Sequence, residues 1–418
     1  MTIRIKIVGF CAAVSMSAAA NAQEVAQIAA RGDVRALLES IKSTNAWTLQ
    51  QQVSLCEIPA PPFKERARGL AYKAAFQKLG LTNVRIDSVG NVIGERRGNG
   101  TGPTVLIEGH LDTVFPEGTD VKVRREGARY VGRGITDDCR GLAGVLAVAR
   151  ALQKSSVATN GTIIFAGNVG EEGPGNLRGT RHLFGRELKG KIDYFVSIDG
   201  AGEGITSRAV GSNRYRVTYK GRGGHSFGDF GIPNPAHALG RAMAAIADLQ
   251  VPSSPKTTFN VGVIKGGTSV NSIPFEASLE LDMRSESAAA LATLDAQAQR
   301  AIHDAVDAEN RRWAGTANRI AVVIDTIGLR PAGSQPDSAR IVRVAREGAS
   351  IVGLAGNLTA SSTDANVPIS LGIPGIAIDG GGKGDGAHGL DEWYEDGPAG
   401  WRGPQWAALL VLTLAGVK

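Results

Sequence analysis

Cysteine is scarce in this 418-residue chain: Cys11, Cys56 and Cys139 are the whole complement. Once an N-terminal leader carrying Cys11 is removed, two remain, too few for a disulfide framework, and both are expected to be free thiols. Histidine is also sparse, at six residues, and nowhere forms the exposed His-rich tract of a zinc-storage or zinc-sensing protein. No Lys/Arg run or basic-aromatic stripe appears, which argues against nucleic acid as a partner. Beyond residue 22 no apolar run approaches the roughly 18 residues that a membrane helix needs. Internal repeats and low-complexity tracts are lacking as well.

What the chain does have is glycine, 55 residues, suited to tight turns and loops that pass close to a site. Its composition, 43% hydrophobic and 21% charged, is that of a soluble globular protein, and its length predicts two domains. The formal charge of +6 includes Arg4 and Lys6, so the chain without them stands at 6 − 2 = +4. Those two cations, the apolar stretch Ile7 to Ala20 and the Ala20-Asn21-Ala22 site read as a secretory signal over residues 1–22, which predicts a secreted, periplasmic protein with no membrane contact after cleavage.

Past Thr104, strand-like and helix-like segments alternate. Thr104–Ile107, Ile163–Ala166 and Tyr194–Ile198 are buried-strand runs, and Leu142, Val145, Leu146, Ala149 and Leu152 recur at helical spacing. This pattern predicts an α/β fold with a mostly parallel, helix-covered sheet. The texture changes at Arg214. Alternating strands Arg214–Lys220, Thr257–Ile264, Ala277–Arg284 and Arg319–Ile327 interleave with helices Asn234–Leu249 and Ala288–Glu309, the β-α-β-β-α-β order of a ferredoxin-like α+β domain. It reads as an insertion over residues 214–330, splitting a catalytic domain into residues 23–213 and 331–418.

Candidate ligands cluster where the predicted strands end, the place where sites form in such sheets. His110-Leu111-Asp112 puts two side chains on one side of an extended segment, so His110 could ligate a metal while Asp112 bonds its other ring nitrogen. It could also be an incidental loop pair. Asp137-Asp138 opens a helix; it is either a capping acid or a carboxylate that bridges two cations. Glu171-Glu172 between Gly170 and Gly173 would repel unless a cation sits between them and is held by one, leaving the other free to act as a general base; the bland alternative is a solvated acidic turn. Asp199, Asp364 and His388 fit the same pattern, though a turn aspartate and a loop histidine are ordinary too. Asp137, Glu172, Asp199 and one hydroxide would balance two Zn²⁺. The five donors His110, Asp137, Glu172, Asp199 and His388 exceed what one tetrahedral zinc with an open position accepts.

As an ordered set, Gly109-His110-Leu111-Asp112-Thr113-Val114, Gly132-Arg133-Gly134-Ile135-Thr136-Asp137-Asp138, Gly170-Glu171-Glu172-Gly173, Ser197-Ile198-Asp199-Gly200 and Gly386-Ala387-His388-Gly389 are similar to motifs of a known family. The chain resembles the co-catalytic dizinc metallopeptidases and amidohydrolases of the carboxypeptidase G, peptidase T, acetylornithine deacetylase, succinyl-diaminopimelate desuccinylase and aminoacylase group, over nearly all of its length after residue 22. The resemblance implies that His110, Asp137 and Asp199 bind one zinc, and that Asp137, Glu172 and His388 bind the other. Co²⁺ or Mn²⁺ are alternatives to zinc. It further implies that Asp112 orients His110 and that Glu171 is the general base. The inserted domain would be a lid and dimerisation module, with His225 catalytic, Asn271 and Arg284 holding substrate, and His225 reaching the active site of a second copy. The substrate would be a small peptide cleaved near a free terminus or, alternatively, an N-acyl amino acid. A non-catalytic binding protein would lack a ligand or the base, and none is missing. Cys139, followed by Arg140, stands where many relatives carry Lys two positions after the bridging aspartate, and a Gly frequent upstream of Asp364 is absent; these departures leave the subfamily open.

Overall fold

In a computed structural model of the chain, residues 24–418 are described; the expected signal segment, 1–22, lies outside them. The chain divides into two compact units.

The first unit comprises residues up to Ser207, Gln335–Thr359 and Thr363–Lys418. Its sheet runs, in spatial order, Thr82–Ile86, Val92–Arg96, Ile163–Asn168, Val105–His110, Tyr194–Ile198, Gly375–Ile378 and Gly204–Ala209. The four middle strands are mutually parallel, and the flanking pairings are antiparallel. Val105–His110 and Ile163–Asn168 are buried at every residue, which is why their opening residues, Val105–Ile107 and Ile163–Ala166, read as unbroken apolar runs: a parallel strand covered on both faces needs no alternating polar side. Helices Gly32–Ser43, Arg66–Leu79, Cys139–Lys154, Arg340–Val352 and Arg402–Ala415 supply the cover, and their apolar faces join the strands in one core. Among the described residues no helix is long and apolar enough to cross a membrane.

A second, smaller sheet in this unit joins Lys383–Asp385, Trp393–Glu395, Arg129–Val131 and Arg124–Glu126, all antiparallel. The glycine-rich segment Gly380–Gly386 thus contributes a strand. His388 sits in the turn between the first two strands.

The second unit is Arg208–Ser334 with Ala360–Ser362. Strands Gly211–Lys220, Thr257–Gly266, Glu276–Ser285 and Ala321–Arg330 form an antiparallel sheet in which the first and third lie at the centre. Helices Pro235–Ala247 and Ala288–Arg312 pack on it, the ferredoxin-like order. Burial alternates along Glu276–Ser285, as it must in a sheet covered on one face. The unit is wider than the expected 214–330. Gly333–Ser334 pairs with Arg208–Ala209, and Val210 N donates to Ser361 O at 2.8 Å, so the connecting segments belong to it.

Candidate metal centre

The parallel strands deliver the donors. His110 is the last residue of Val105–His110, Asp199 directly follows Tyr194–Ile198, and Glu171-Glu172 follows Ile163–Asn168 after two residues. Asp137 precedes the helix Cys139–Lys154. His388 comes from the turn of the small sheet and adopts φ 68°, a left-handed conformation uncommon for a non-glycine residue.

These residues converge into two overlapping triads. The potential ligand atoms of His110, Asp137 and Asp199 all lie within 4.8 Å of one another, and so do those of Asp137, Glu172 and His388. Asp137 belongs to both. Its Oδ1 stands 2.8 Å from His110 Nε2 and its Oδ2 3.1 Å from His388 Nε2, so the two carboxylate oxygens face opposite imidazoles. His388 Nε2 also meets Glu172 Oε1 at 2.8 Å. Each triad offers one imidazole nitrogen and two carboxylates, a donor set suited to a borderline divalent cation such as zinc. Glu171 falls within the same 4.8 Å of His110 and Glu172, so proximity alone does not separate base from ligand.

The electrostatics are those of an acidic pocket. Burial, and then the neighbouring charge of Asp137, push Asp199 up to about 7. Burial disfavours ionised Asp137 too, but bonds to His110 and His388 outweigh it and hold that carboxyl below its ordinary range. The bonds to Asp137 and Glu172 raise His388 to about 10. Burial lowers His110, yet its contacts with Asp112 and Asp137 prevail and leave it well above the usual imidazole value.

Asp112 departs from expectation. His110 Nδ1 donates to the main-chain oxygen of Asp112 at 3.0 Å, whereas the Asp112 carboxylate is 3.7 Å away, too far for a hydrogen bond. The strand ends at His110, so the side-chain alternation that would have aligned the pair stops there. The tautomer is still set: a carbonyl only accepts, so Nδ1 carries the proton and Nε2 faces Asp137. The Asp112 carboxylate instead accepts from the amides of Glu171 and Glu172, at 3.1 and 2.9 Å.

Two further acids brace the pocket. Asp138 accepts from Gly141 N at 2.9 Å, capping its helix, and also from His110 N at 2.9 Å and Gly200 N at 3.3 Å. Of the Asp137-Asp138 pair, the second is thus the capping acid and the first faces the imidazoles. Glu392, fully buried, was not anticipated. Its carboxylate accepts from the amides of Gly134 (2.7 Å), Thr136 (2.7 Å) and Asp137 (3.0 Å) and from the Thr136 hydroxyl. Its only signal in sequence is its place four residues after His388. Cys139 and Cys56 are buried and unbridged, packed with Ile135 and Tyr394. Arg140 is spent on the carbonyls of Gly380 and Gly400.

His225, Asn271 and Arg284 lie in the second unit. His225 pairs with Ser272 across a two-residue ladder, and Ser226 N donates to Asn271 O at 2.9 Å, so His225 and Asn271 are neighbours. His225 Nδ1 accepts from Phe227 N and Gly228 N, at 3.3 and 3.2 Å, which puts the ring proton on Nε2. Arg284 is elsewhere. It lies 284 − 276 = 8 residues along Glu276–Ser285 from the end nearest Asn271, roughly 26 Å at 3.3 Å per residue. There it bonds Asp282 through Nε at 2.8 Å and lines a cavity of about 310 Å³ with Lys256, Thr258 and Ser362.

The profile of peptidase family M20/M25/M40 matches residues 106–400. The chain is 30% identical over 254 residues to carboxypeptidase G2 of Pseudomonas sp. (strain RS-16), an alignment covering 56% of this chain and 59% of that one. It is 31% identical over 209 residues to succinyl-diaminopimelate desuccinylase of Bordetella petrii, covering 45% and 54%. The matches to both proteins thus span less than two thirds of their length. Among solved structures, aminopeptidase PepT from Bacillus cereus ATCC 10987 superposes with a TM-score of 0.72 at 21% identity, over 88% of this chain and 98% of that one. The Bacillus subtilis YxeP protein, described as a dinuclear metal binding peptidase, does so with a TM-score of 0.66 at 17% identity, over 90% and 99%. At such identities the likeness is one of fold.

Proposed function

Because the chain belongs to peptidase family M20/M25/M40, we propose that it is a dizinc hydrolase that cleaves a peptide or amide bond near a free terminus of a small substrate. The observation that carries this reading is the pair of triads sharing Asp137. His110, Asp137 and Asp199 would hold one ion, and Asp137, Glu172 and His388 the other; Co²⁺ or Mn²⁺ would suit the same donors. When bound, the ions supply Lewis acidity toward the scissile carbonyl and bring the pKa of a water toward about 7.

The chain's own groups do the rest. Glu171 takes the proton of the attacking water and returns it to the leaving nitrogen. Asp112, by holding the amides of Glu171 and Glu172, keeps base and ligand in register. His225, protonated on Nε2, donates to the oxyanion of the tetrahedral intermediate. Asn271 and Arg284 recognise the substrate carboxylate or adjacent backbone. Since Arg284 lies near the far end of strand Glu276–Ser285 and the His225–Asn271 pair lies outside its near end, we assign them to different copies of the chain, joined as a homodimer through the second unit. Its strand Thr257–Gly266 is a sheet edge with Val263 and Ile264 exposed, a surface suited to pairing with another copy.

Glu171→Gln tests the assignment. The variant should retain its metal and lose at least about 100-fold in rate; near-normal turnover rejects it. A second reading, N-acyl amino acid deacylase, is favoured by the desuccinylase among the relatives. A panel of dipeptides, tripeptides and N-acyl amino acids separates the two by which bond is cleaved. We also propose export to the periplasm, supported by the pattern of residues 1–22. Protein recovered from the periplasm should begin at Gln23, and recovery with Met1 intact counts against it.

A further inference from the structure

The Thr363-Asp364-Ala365 segment has no part in the chemistry above, yet Asp364 is one of the most enclosed acids in the first unit, 1% exposed. Burying a carboxylate is costly unless donors compensate it. Here they do: the Asp364 carboxylate accepts from Asn168 Nδ2 on one oxygen and from Thr180 Oγ1 on the other, and Asn168 Nδ2 also donates to Thr180 Oγ1 at 3.1 Å. Asn168 and Thr180 are themselves fully buried. The three side chains form a closed triangle.

Its corners are informative. Asn168 is the last residue of strand Ile163–Asn168, and Thr180 lies in the short helix Arg178–His182. Everything between them is the loop that carries Glu171 and Glu172. That loop turns through left-handed residues at Gly170, Gly173, Asn176 and Leu177, so little regular structure within it resists deformation. Its base is closed by Gly179 N donating to Val169 O at 2.9 Å and, side by side with that bond, by the Asp364 triangle. The same Asn168 reaches the other half of the pocket: its carbonyl accepts from Leu111 N at 2.7 Å, and its register partner is His110. A shift of Asn168 would therefore move the Glu171-Glu172 loop relative to His110.

We propose that Asp364 is a positioning residue, acting through Asn168 and Thr180 to set where Glu171 and Glu172 stand relative to His110. The inference rests on the reading of Glu171 and Glu172 as base and ligand. A carboxylate is needed because both neighbours donate; in Asp364→Asn an amide hydrogen would confront one of them. The donor and acceptor can, however, be exchanged. Asn168→Asp combined with Asp364→Asn restores a donor opposite an acceptor and leaves an oxygen for Thr180, at the loss of the bond from residue 168 to Thr180 Oγ1.

The test compares wild type, Asp364→Asn, Thr180→Val and the exchanged double variant in three measurements. Amide hydrogen exchange over 169–179 is read on metal-free protein, zinc affinity against a competing chelator, and kcat with KM on zinc-loaded enzyme. Asp364→Asn should accelerate exchange in this segment selectively, weaken zinc binding by about 10- to 100-fold and lower kcat by a similar factor with KM little changed. The exchanged pair, which remakes two of the three bonds, should recover all three in part. Thr180→Val, which removes one hydroxyl, gives a milder change of the same kind should Asp364→Asn not fold. Exchange over 169–179 and zinc affinity within about twofold of wild type in the single variants overturn the proposal. So does a double variant that regains thermal stability without regaining them. If wild type hydrolyses no substrate, the function proposed above falls, while exchange and zinc affinity still decide the role of Asp364.

Discussion

Asp112 binds two consecutive main-chain amides, those of Glu171 and Glu172, with its two carboxylate oxygens. Its side chain is fully buried, so neither amide has water to fall back on. Asp112→Asn keeps the shape but leaves one acceptor for two donors, and its own amide hydrogens then face an N–H. An unsatisfied buried donor costs about 1–3 kcal/mol. The variant should lose that much stability in urea unfolding, and zinc affinity or kcat should fall about 10- to 100-fold, the usual effect of losing a partner that supports a ligand. Wild-type zinc affinity in a folded Asp112→Asn protein would show that the amide contacts do not hold the ligands in place. At this scale the sequence exposes which residues could touch a metal, because His and paired acids at strand ends stand out against apolar surroundings. It hides which acids hold the others. Asp138 and Glu392 act on backbone amides, and amides carry no residue identity to search for. The misplaced Asp112 bond has the same origin: period-two reasoning applies only while the strand lasts, and this strand stops at His110.

Among elements, the helix Cys139–Lys154 ties the centre to the core. It is buried along almost its whole length, and its first turn meets Asp138 and the end of strand Tyr194–Ile198. Gly141 permits that approach: a Cβ there would lie 2.0 Å from Ile198 O and 2.2 Å from Asp138 Oδ1. Gly in a helix interior ordinarily costs about 0.5–1 kcal/mol relative to Ala, so replacement by Ala usually stabilises. At Gly141 the sign should reverse, with Gly141→Ala losing about 1–3 kcal/mol or more through overpacking. Gly240, exposed in helix Pro235–Ala247 with nothing within 4 Å of a Cβ, is the matched control, and Gly240→Ala should gain about 0.5–1 kcal/mol. Denaturation midpoints of the two variants on either side of wild type are the expected result. Equal and opposite signs to these would mean that the helix does not sit against Ile198 as described. Long elements such as this one were legible because apolar spacing accumulates over many residues. The small sheet was not, since three-residue strands such as Lys383–Asp385 carry no period and glycine there resembles a plain loop.

The whole molecule raises a question of stoichiometry. Within the second unit, His225 and Asn271 share one end of the sheet and Arg284 lies near the other, too far apart to grip one small substrate together. A symmetric dimer resolves this if each site draws His225 from the other copy. That arrangement predicts complementation between two crippled chains. Glu171→Gln lacks the base but has an intact His225; His225→Ala lacks the imidazole but has an intact Glu171. In a mixed dimer, one site would then combine Glu171 of the second chain with His225 of the first, and the other site would have neither. Random reassortment makes half of the dimers mixed, each with one working site, so an equimolar co-expressed mixture should recover about a quarter of the wild-type rate. Were His225 to serve its own chain, every site in the mixture would lack either the base or the imidazole, and the rate would stay at the level of the separate variants. Sedimentation of the wild type at twice the chain mass is the companion measurement. A monomer with full activity would require Arg284 or the His225–Asn271 pair to be dispensable, and single substitutions at each would identify which.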